Sequence, residues 1–199
     1  MIRHGTTLAN QEGRFQGRLD YPLSTQGRRE AALLGCRIKD LAPEVLLSSD
    51  LKRAWETAQI IARAAGLVPK PLPLLRECSW GAIEGLTLCE IKSLYPDLIP
   101  EGSVRIKAAV FGGESEKMLL ARAIVLLRFL GRRCNRRQRI LLVSHGRFIN
   151  ALFAACLGYS AKQRWPFAPA PASLSMISCS DNRQSYRLEL FNDRCHLSG

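Results

Sequence analysis

Apolar residues along this chain fall into short continuous runs, separated by longer stretches in which they recur every three or four positions. Val45-Leu46-Leu47 and Ile140-Leu141-Leu142-Val143 are runs too short for helices, and they predict buried strands. Between Leu51 and Ala65, the residues Ala54, Ala58, Ile61, Ala62 and Ala65 mark one helical face. Ser48-Ser49-Asp50 supplies capping side chains for that helix, and Gly66 stops it. A second helix is predicted from Ser115 to Leu130, and a third follows Ser144-His145-Gly146 as far as Leu157. Ser173–Ser178 and Tyr186–Phe191 read as closing strands, with Val68–Pro73 and Trp165–Ala172 as Pro-rich loops. Strands alternating with helices predict an α/β fold, a three-layer α/β/α sandwich around a mostly parallel central sheet, in a single domain over residues 1–199.

Composition narrows the class without changing that picture. An apolar fraction of 47% with 23% charged residues excludes a disordered polyampholyte, a collagen-like fibre and a disulfide miniprotein. No apolar run approaches the roughly 18 residues of a membrane span, so no membrane association is expected. The opening Met-Ile-Arg-His lacks the apolar core of a signal peptide. Seven scattered cysteines, odd in number and without a Cys-x-x-Cys pair, read as reduced and mostly buried residues of a cytoplasmic protein. The three histidines, His4, His145 and His196, have no ligand spacing between them, so neither metal nor cofactor is expected.

Charge adds one question. Lys and Arg number 29 against 17 Asp and Glu, a net +12, and Arg132, Arg133, Arg136, Arg137 and Arg139 crowd together. A nucleic-acid site needs interleaved aromatics or a recognisable module. Aromatics are only 7% of the chain, so this block reads as a solvated helix end with no specific nucleic-acid partner.

The chemistry gathers at strand-to-helix junctions, where α/β folds bind ligands. Arg3-His4-Gly5 follows the opening residues, Arg53 lies in the first turn of its helix, and His145-Gly146 joins a buried strand to the next helix. Either histidine alone would read as a hydrogen-bonded core side chain. Two arginines, two histidines and a helix N-terminus with free N–H groups on one edge instead describe a phosphate site.

Arg3-His4-Gly5-Thr6-Thr7-Leu8-Ala9-Asn10 resembles the opening of the histidine phosphatase superfamily, the phosphoglycerate mutase-like proteins. The similarity continues through Arg14–Gly27, Ser48–Ala54, Leu75-Arg76-Glu77, Gly112-Gly113-Glu114-Ser115 and Val143-Ser144-His145-Gly146, in family order over nearly the whole chain. The resemblance implies that His4 is a nucleophile forming a phosphohistidine, with Arg3, Arg53 and His145 holding the phosphoryl oxygens. It implies Glu77 as general acid and base, with Glu84 the competing carboxylate. Thr7, Asn10, Gln16, Gly17 and Gly146 are implied to line the substrate pocket. Glu114 is read as a helix-starting carboxylate with a supporting role behind the site as the alternative, His196 as a surface residue, and Trp80 and Trp165 as core, with the leaving-group wall of the pocket as the alternative.

Mutase relatives carry a longer segment with an adjacent arginine pair after the Glu block. Here residues 85–111, read as a lid over the site, contain Arg105 and Lys107 but no such pair. A phosphatase is therefore expected, acting without metal on a small phosphorylated metabolite of α-ribazole phosphate, sugar-phosphate or phosphoglycerate type. A mutase-type phosphotransferase and a non-catalytic anion-binding regulator are the alternatives. The oligomeric state stays open, a homodimer included. One departure stands out: only Met1 and Ile2 precede Arg3, so the strand carrying His4 is expected to be short and His4 weakly anchored.

Overall fold

The computed structural model describes residues 1–99, 106–134, 138–180 and 185–198. A six-stranded sheet runs through them: β1 (Ile2–Arg3), β2 (Val45–Ser48), β3 (Pro69–Pro71), β4 (Ile140–Ser144), β5 (Leu174–Cys179) and β6 (Tyr186–Asp193). The spatial order is β3-β2-β4-β1-β5-β6. The first four in that order are parallel, while β5 and β6 are antiparallel additions.

Period-two alternation sorts each strand's side chains between two cores. Leu46, Leu141 and Val143 pack with Ile2, Leu34, Ile38, Ala58 and Ile61 under α2 (Thr25–Leu41) and α3 (Lys52–Ala65). Leu47 and Leu142 face the opposite way, into Leu119, Leu126, Phe148 and Leu152 of α5 (Glu116–Arg133) and α6 (Gly146–Cys156). Both faces of the sheet are therefore covered, as the uninterrupted apolar runs of β2 and β4 require.

Several local expectations change. The helix after β2 has Leu51 as its N-cap, with no side-chain cap of its own. Asp20 supplies the acceptor instead, taking the Lys52 N–H at 2.6 Å, while Asp50 pairs with Arg76. Val68–Pro73 is not simply a loop, since β3 lies in it as an edge strand beside β2. The prolines at 69, 71 and 73 alternate, so their missing N–H groups spare the inward-facing side, and Leu72 N–H reaches Ser48 O at 2.7 Å. Of the seven cysteines only Cys78 is buried; the apolar cores are filled mainly by Leu, Ile, Phe and Ala. Arg132 and Arg133 close α5 as exposed cations, whereas Arg136 and Arg137 lie outside the described residues.

β1 is short, yet His4 is held from both sides. Its N–H donates to Ser144 O at 2.9 Å and its carbonyl accepts from Ala172 N at 3.1 Å. Ile2, fully buried, pairs with Val143 on one flank and Leu174 on the other. Weak anchoring of His4 is thus not what these contacts give.

Candidate active site

The carboxyl ends of β1, β2 and β4 open on a cavity of about 520 Å³, bordered by Arg3, His4, Arg53, Glu77 and Gly146 among others. β1 runs directly into Arg3 and His4. The turn after β2 feeds the first turn of α3, which carries Arg53. β4 ends at Ser144, and His145 is the N-cap of α6.

His4 is buried, with Nδ1 2.7 Å from the carbonyl of Gly5. A carbonyl only accepts, so Nδ1 carries the hydrogen and Nε2 keeps its lone pair in the neutral ring. Burial holds the His4 pKa well below its ordinary value of 6.5, and the Arg53 and Arg3 charges add to that effect. The ring is neutral at pH 7 and offers an unprotonated nitrogen.

Arg3 and Arg53 are tied down by neutral groups only. Arg3 Nη1 donates to Pro169 O at 2.8 Å, and Arg53 donates to Leu19 O at 2.8 Å and Gly17 O at 2.7 Å. Both Nε atoms are buried without a partner. Burial lowers the Arg53 pKa to about 10 and lowers Arg3 as well, leaving both charged at neutrality. Among the described residues no carboxylate forms an ion pair with either guanidinium. Two desolvated cations with no carboxylate in direct contact, and only the field of Glu77 acting on both, make an anion site. Gly146 lets its helix come close: a Cβ there would sit 3.3 Å from Arg3 Cζ.

His145 is fully buried and does not border the open cavity. Its ring lies beside His4, centroids 5.1 Å apart and tilted by 58°, with Nε2 2.8 Å from Ser49 Oγ and Nδ1 unpartnered. Burial and the neighbouring Arg53, His4 and Arg3 hold its pKa well below 6.5.

Glu77 borders the cavity and is buried. Oε1 accepts from Cys78 N at 2.8 Å and Phe148 N at 3.0 Å, and Oε2 from Arg147 N at 3.2 Å. The free N–H groups expected at the start of α6 are therefore partly occupied by this carboxylate. Glu84 does not border the cavity; its Oε1 takes Ser79 Oγ and Trp80 N. Glu114 does more than start α5: its carboxylate takes Ser79 N at 3.0 Å and pairs with Arg122.

Asn10, Gln16 and Gly17 border the cavity, as the motif suggests. Thr7 does not. It is fully buried and caps the short α1 (Leu8–Gln11), trading hydrogen bonds with Asn10. Within 85–111, which includes α4 (Leu88–Leu94), no described residue borders the cavity, and Arg105 lies outside the described residues. His196 is half-buried rather than on the surface, in the C-terminal turn packed against α2. Trp80 is both core and cavity wall, while Trp165 is core alone.

The sequence reading passed over Arg147, Asn150 and the 167–170 loop, all of which border the cavity. Asn150 stands one helical turn beyond Gly146, and that spacing was the available signal. Among the described residues no three His, Cys, Asp or Glu side chains are grouped to hold a metal ion, and no helix is long and apolar enough to cross a membrane.

Residues 1–194 match the family described as the histidine phosphatase superfamily (branch 1). A protein named probable phosphoglycerate mutase GpmB of Yersinia pestis is 32% identical over 197 residues, covering 94% of this chain and 84% of that protein. Mycobacterial glucosyl-3-phosphoglycerate phosphatase Rv2419c, solved with VO3, superposes with a TM-score of 0.81 at 30% identity, over 96% of this chain and 97% of that one. The α-ribazole phosphatase of Shigella flexneri gives 0.80 at 25% identity, over 97% and 95%.

Proposed function

This chain belongs to the histidine phosphatase superfamily, branch 1, and from that premise we propose that it is a phosphomonoesterase that hydrolyses a small phosphorylated metabolite through a phosphohistidine at His4. The observation that carries this reading is His4, its Nδ1 tied to Gly5 O and its Nε2 free, on the same cavity wall as two arginines that hydrogen-bond only to carbonyls.

In the first step His4 Nε2 forms a bond to phosphorus while the ester P–O bond breaks. Arg3 and Arg53 take up charge on the equatorial oxygens; the family resemblance assigns a further donor to His145, whose buried Nδ1 has no partner beside His4 and would have to be uncovered by the bound phosphoryl group. That donor role is supported by Ser49 Oγ, which accepts from Leu51 N at 3.3 Å and keeps its own hydrogen for His145 Nε2. Glu77 in its acid form gives a proton to the leaving oxygen. In the second step it takes a proton back from water, whose oxygen attacks phosphorus as the P–N bond breaks. Asn10, Gln16, Gly17 and Gly146 line the phosphate's surroundings, and Thr7 acts through Asn10. The positive charge this chemistry needs is present in the two arginines, so no metal is assigned.

The identity to a protein named as a mutase favours one second reading, phosphoryl transfer between positions of phosphoglycerate. Phosphate release from phenyl phosphate in the presence of chelator, in wild type and His4→Ala, tests the main reading. Chelator-resistant release that vanishes in the variant is expected. Isomerisation of 3-phosphoglycerate faster than phosphate release would favour the second reading, and release surviving in His4→Ala would sink the phosphohistidine.

A further inference from the structure

One buried carboxylate has no part in the steps above. Glu30 lies in α2 and is 5% exposed, and among the described residues it enters no ion pair. It receives three hydrogen bonds: Oε1 accepts from Gln26 Nε2 at 2.9 Å and from Thr6 Oγ1 at 3.0 Å, and Oε2 accepts from Thr6 N at 2.9 Å. Three donors around it are the surroundings of an ionised carboxylate, which can only accept.

The Thr6 N–H shares one planar peptide group with the Gly5 carbonyl. That carbonyl is the one that His4 Nδ1–H meets at 2.7 Å. Carboxylate and ring are therefore joined by two hydrogen bonds across a single peptide. In such a chain each bond polarises the next, and an N–H drawn toward a negative oxygen leaves its carbonyl a stronger acceptor. The peptide is also held from turning. A Cβ on Gly5 would lie 2.5 Å from Gly27 O, and the Gly5 amide donates to Thr57 Oγ1 at 3.1 Å. Neither Glu30 nor Gly5 borders the cavity, so any effect on substrate passes through His4.

The nucleophile has a use for such a partner. When Nε2 bonds phosphorus while Nδ1 keeps its hydrogen, the buried ring gains a positive charge beside Arg3 and Arg53. A carboxylate placed toward the far ring nitrogen stabilises a cationic imidazole and holds its orientation. We propose that Glu30 is a positioning residue for the nucleophile, orienting and polarising His4 through the Gly5–Thr6 peptide so that the ring can take up charge as phosphorus is bound. The inference rests on the phosphohistidine reading of the same site and adds a carboxylate that acts on the histidine from behind.

The test is Glu30→Gln, which keeps the size of the side chain and one acceptor but removes the charge; Gln26, exposed at the surface, can turn its amide to suit. For phenyl phosphate, kcat should fall about tenfold with KM changed by less than about twofold, the difference between a charged and a neutral acceptor. With only three histidines in the chain, the His4 ring signals of isotope-labelled protein can be assigned by their loss in His4→Ala. In wild type the hydrogen should sit on Nδ1, its proton far downfield of a free imidazole, and in Glu30→Gln that proton should move upfield. An unmoved proton overturns the proposal, as does an unchanged kcat in a variant that melts like wild type. A wild-type ring with its hydrogen on Nε2 overturns it whether or not the variant folds. Release from phenyl phosphate that is indifferent to Glu30 keeps the phosphatase reading and ends this one. Release from no ester ends the phosphatase reading, and the ring proton alone then decides whether the carboxylate reaches His4.

Discussion

Arg122 and Glu114 meet edge to edge, Nε to Oε1 at 3.0 Å and Nη2 to Oε2 at 2.8 Å, on the side of α5 that faces the Glu77 segment. The rest of the guanidinium reaches Leu74 O, Arg76 O and Glu77 O at 2.9, 2.6 and 3.3 Å, and the group stacks 4.2 Å over Phe148. Three of the Arg122 contacts fix the segment that carries Glu77 and two hold Glu114, while the Glu77 carboxylate itself is held by Phe148 N. Arg122 is a positioning residue.

Arg122→Met should leave the Glu114 carboxylate with only Ser79 N and the half-exposed Arg18, and should take a donor from three carbonyls. Both partners of the pair are largely buried, at 14% and 11% side-chain exposure. Removing one side of such a pair costs about 3 kcal/mol or more. The melting temperature should fall accordingly, and kcat should fall more than KM rises, because Glu77 acts on the leaving oxygen. Arg122→Lys restores charge without the fork, so it should recover stability only in part. A variant with wild-type kcat would show that Glu77 holds its place unaided.

Arg53→Lys tests the fork at the phosphate end. Arg53 bridges Gly17 O and Leu19 O with its two terminal nitrogens, and a shorter side chain ending in one ammonium lacks the planar fork that reaches both carbonyls while presenting its other edge to the ligand. The inhibition constants of inorganic phosphate and orthovanadate should rise about tenfold to a hundredfold. Arg28→Lys, at an exposed pair with Glu56, should leave both constants unchanged. Unaltered inhibition in Arg53→Lys would remove Arg53 from the phosphate site.

Much of this was legible in the sequence, for reasons particular to each element. β4 could be read because Ile140–Val143 is buried on both faces and needs no partner to declare it, and its position fixes His145. α3 could be read from its alanine stripe. α2 was missed: its buried Leu34 and Ile38 are interleaved with Arg28, Arg29, Arg37 and Lys39, and its buried stripe includes Gly27, Glu30 and Gly35. The cap of α3 was misplaced because the true acceptor, Asp20, stands far back along the chain. Arg122 is one cation in an otherwise ordinary helix, and its acceptors are contributed by residues 74–77 and 114. For Trp80 the sequence left core and pocket wall both open, and the residue is both. Contacts made by folding, not by spacing, were the ones out of reach.

Gly27→Ala should break the site from behind. A Cβ on Gly27 would lie 2.0 Å from Thr6 O and 2.7 Å from Thr6 N, both backbone atoms, so nothing small can move aside. The loop from Gly5 to Thr7 rests on this first turn of α2, with Thr6 N and Oγ1 held by Glu30 at 2.9 and 3.0 Å. Forcing it outward should cost about 3 kcal/mol and displace the Gly5 carbonyl that sets the His4 tautomer. Denaturant midpoint and phosphate release should fall together. Stability lost with activity intact would mean that His4 does not depend on this loop.

The two buried histidines tie stability to pH in a stated direction. Burial first, and the adjacent arginines second, keep His4 and His145 neutral in the folded protein well below 6.5. In the unfolded chain both protonate near 6.5. Below that value the unfolded state binds more protons, so stability is full above about pH 7 and declines as pH falls toward the folded pKa values. Each ring accounts for about a tenfold change in the folding constant per pH unit within that window. Urea midpoints between pH 7.5 and 5 should therefore slope downward toward acid, and His4→Gln should remove about one ring's share of the slope. Phosphate at millimolar levels should raise stability by mass action, as expected for a ligand that binds only the folded site. Activity should not track the loss, because the unprotonated His4 Nε2 persists in the folded fraction: kcat/KM should show no break at 6.5, with its acid limb lying lower. A half-loss of kcat/KM centred on 6.5, or a slope unchanged in His4→Gln, would mean that His4 is protonated near neutrality and that the burial argument for its nucleophilicity fails.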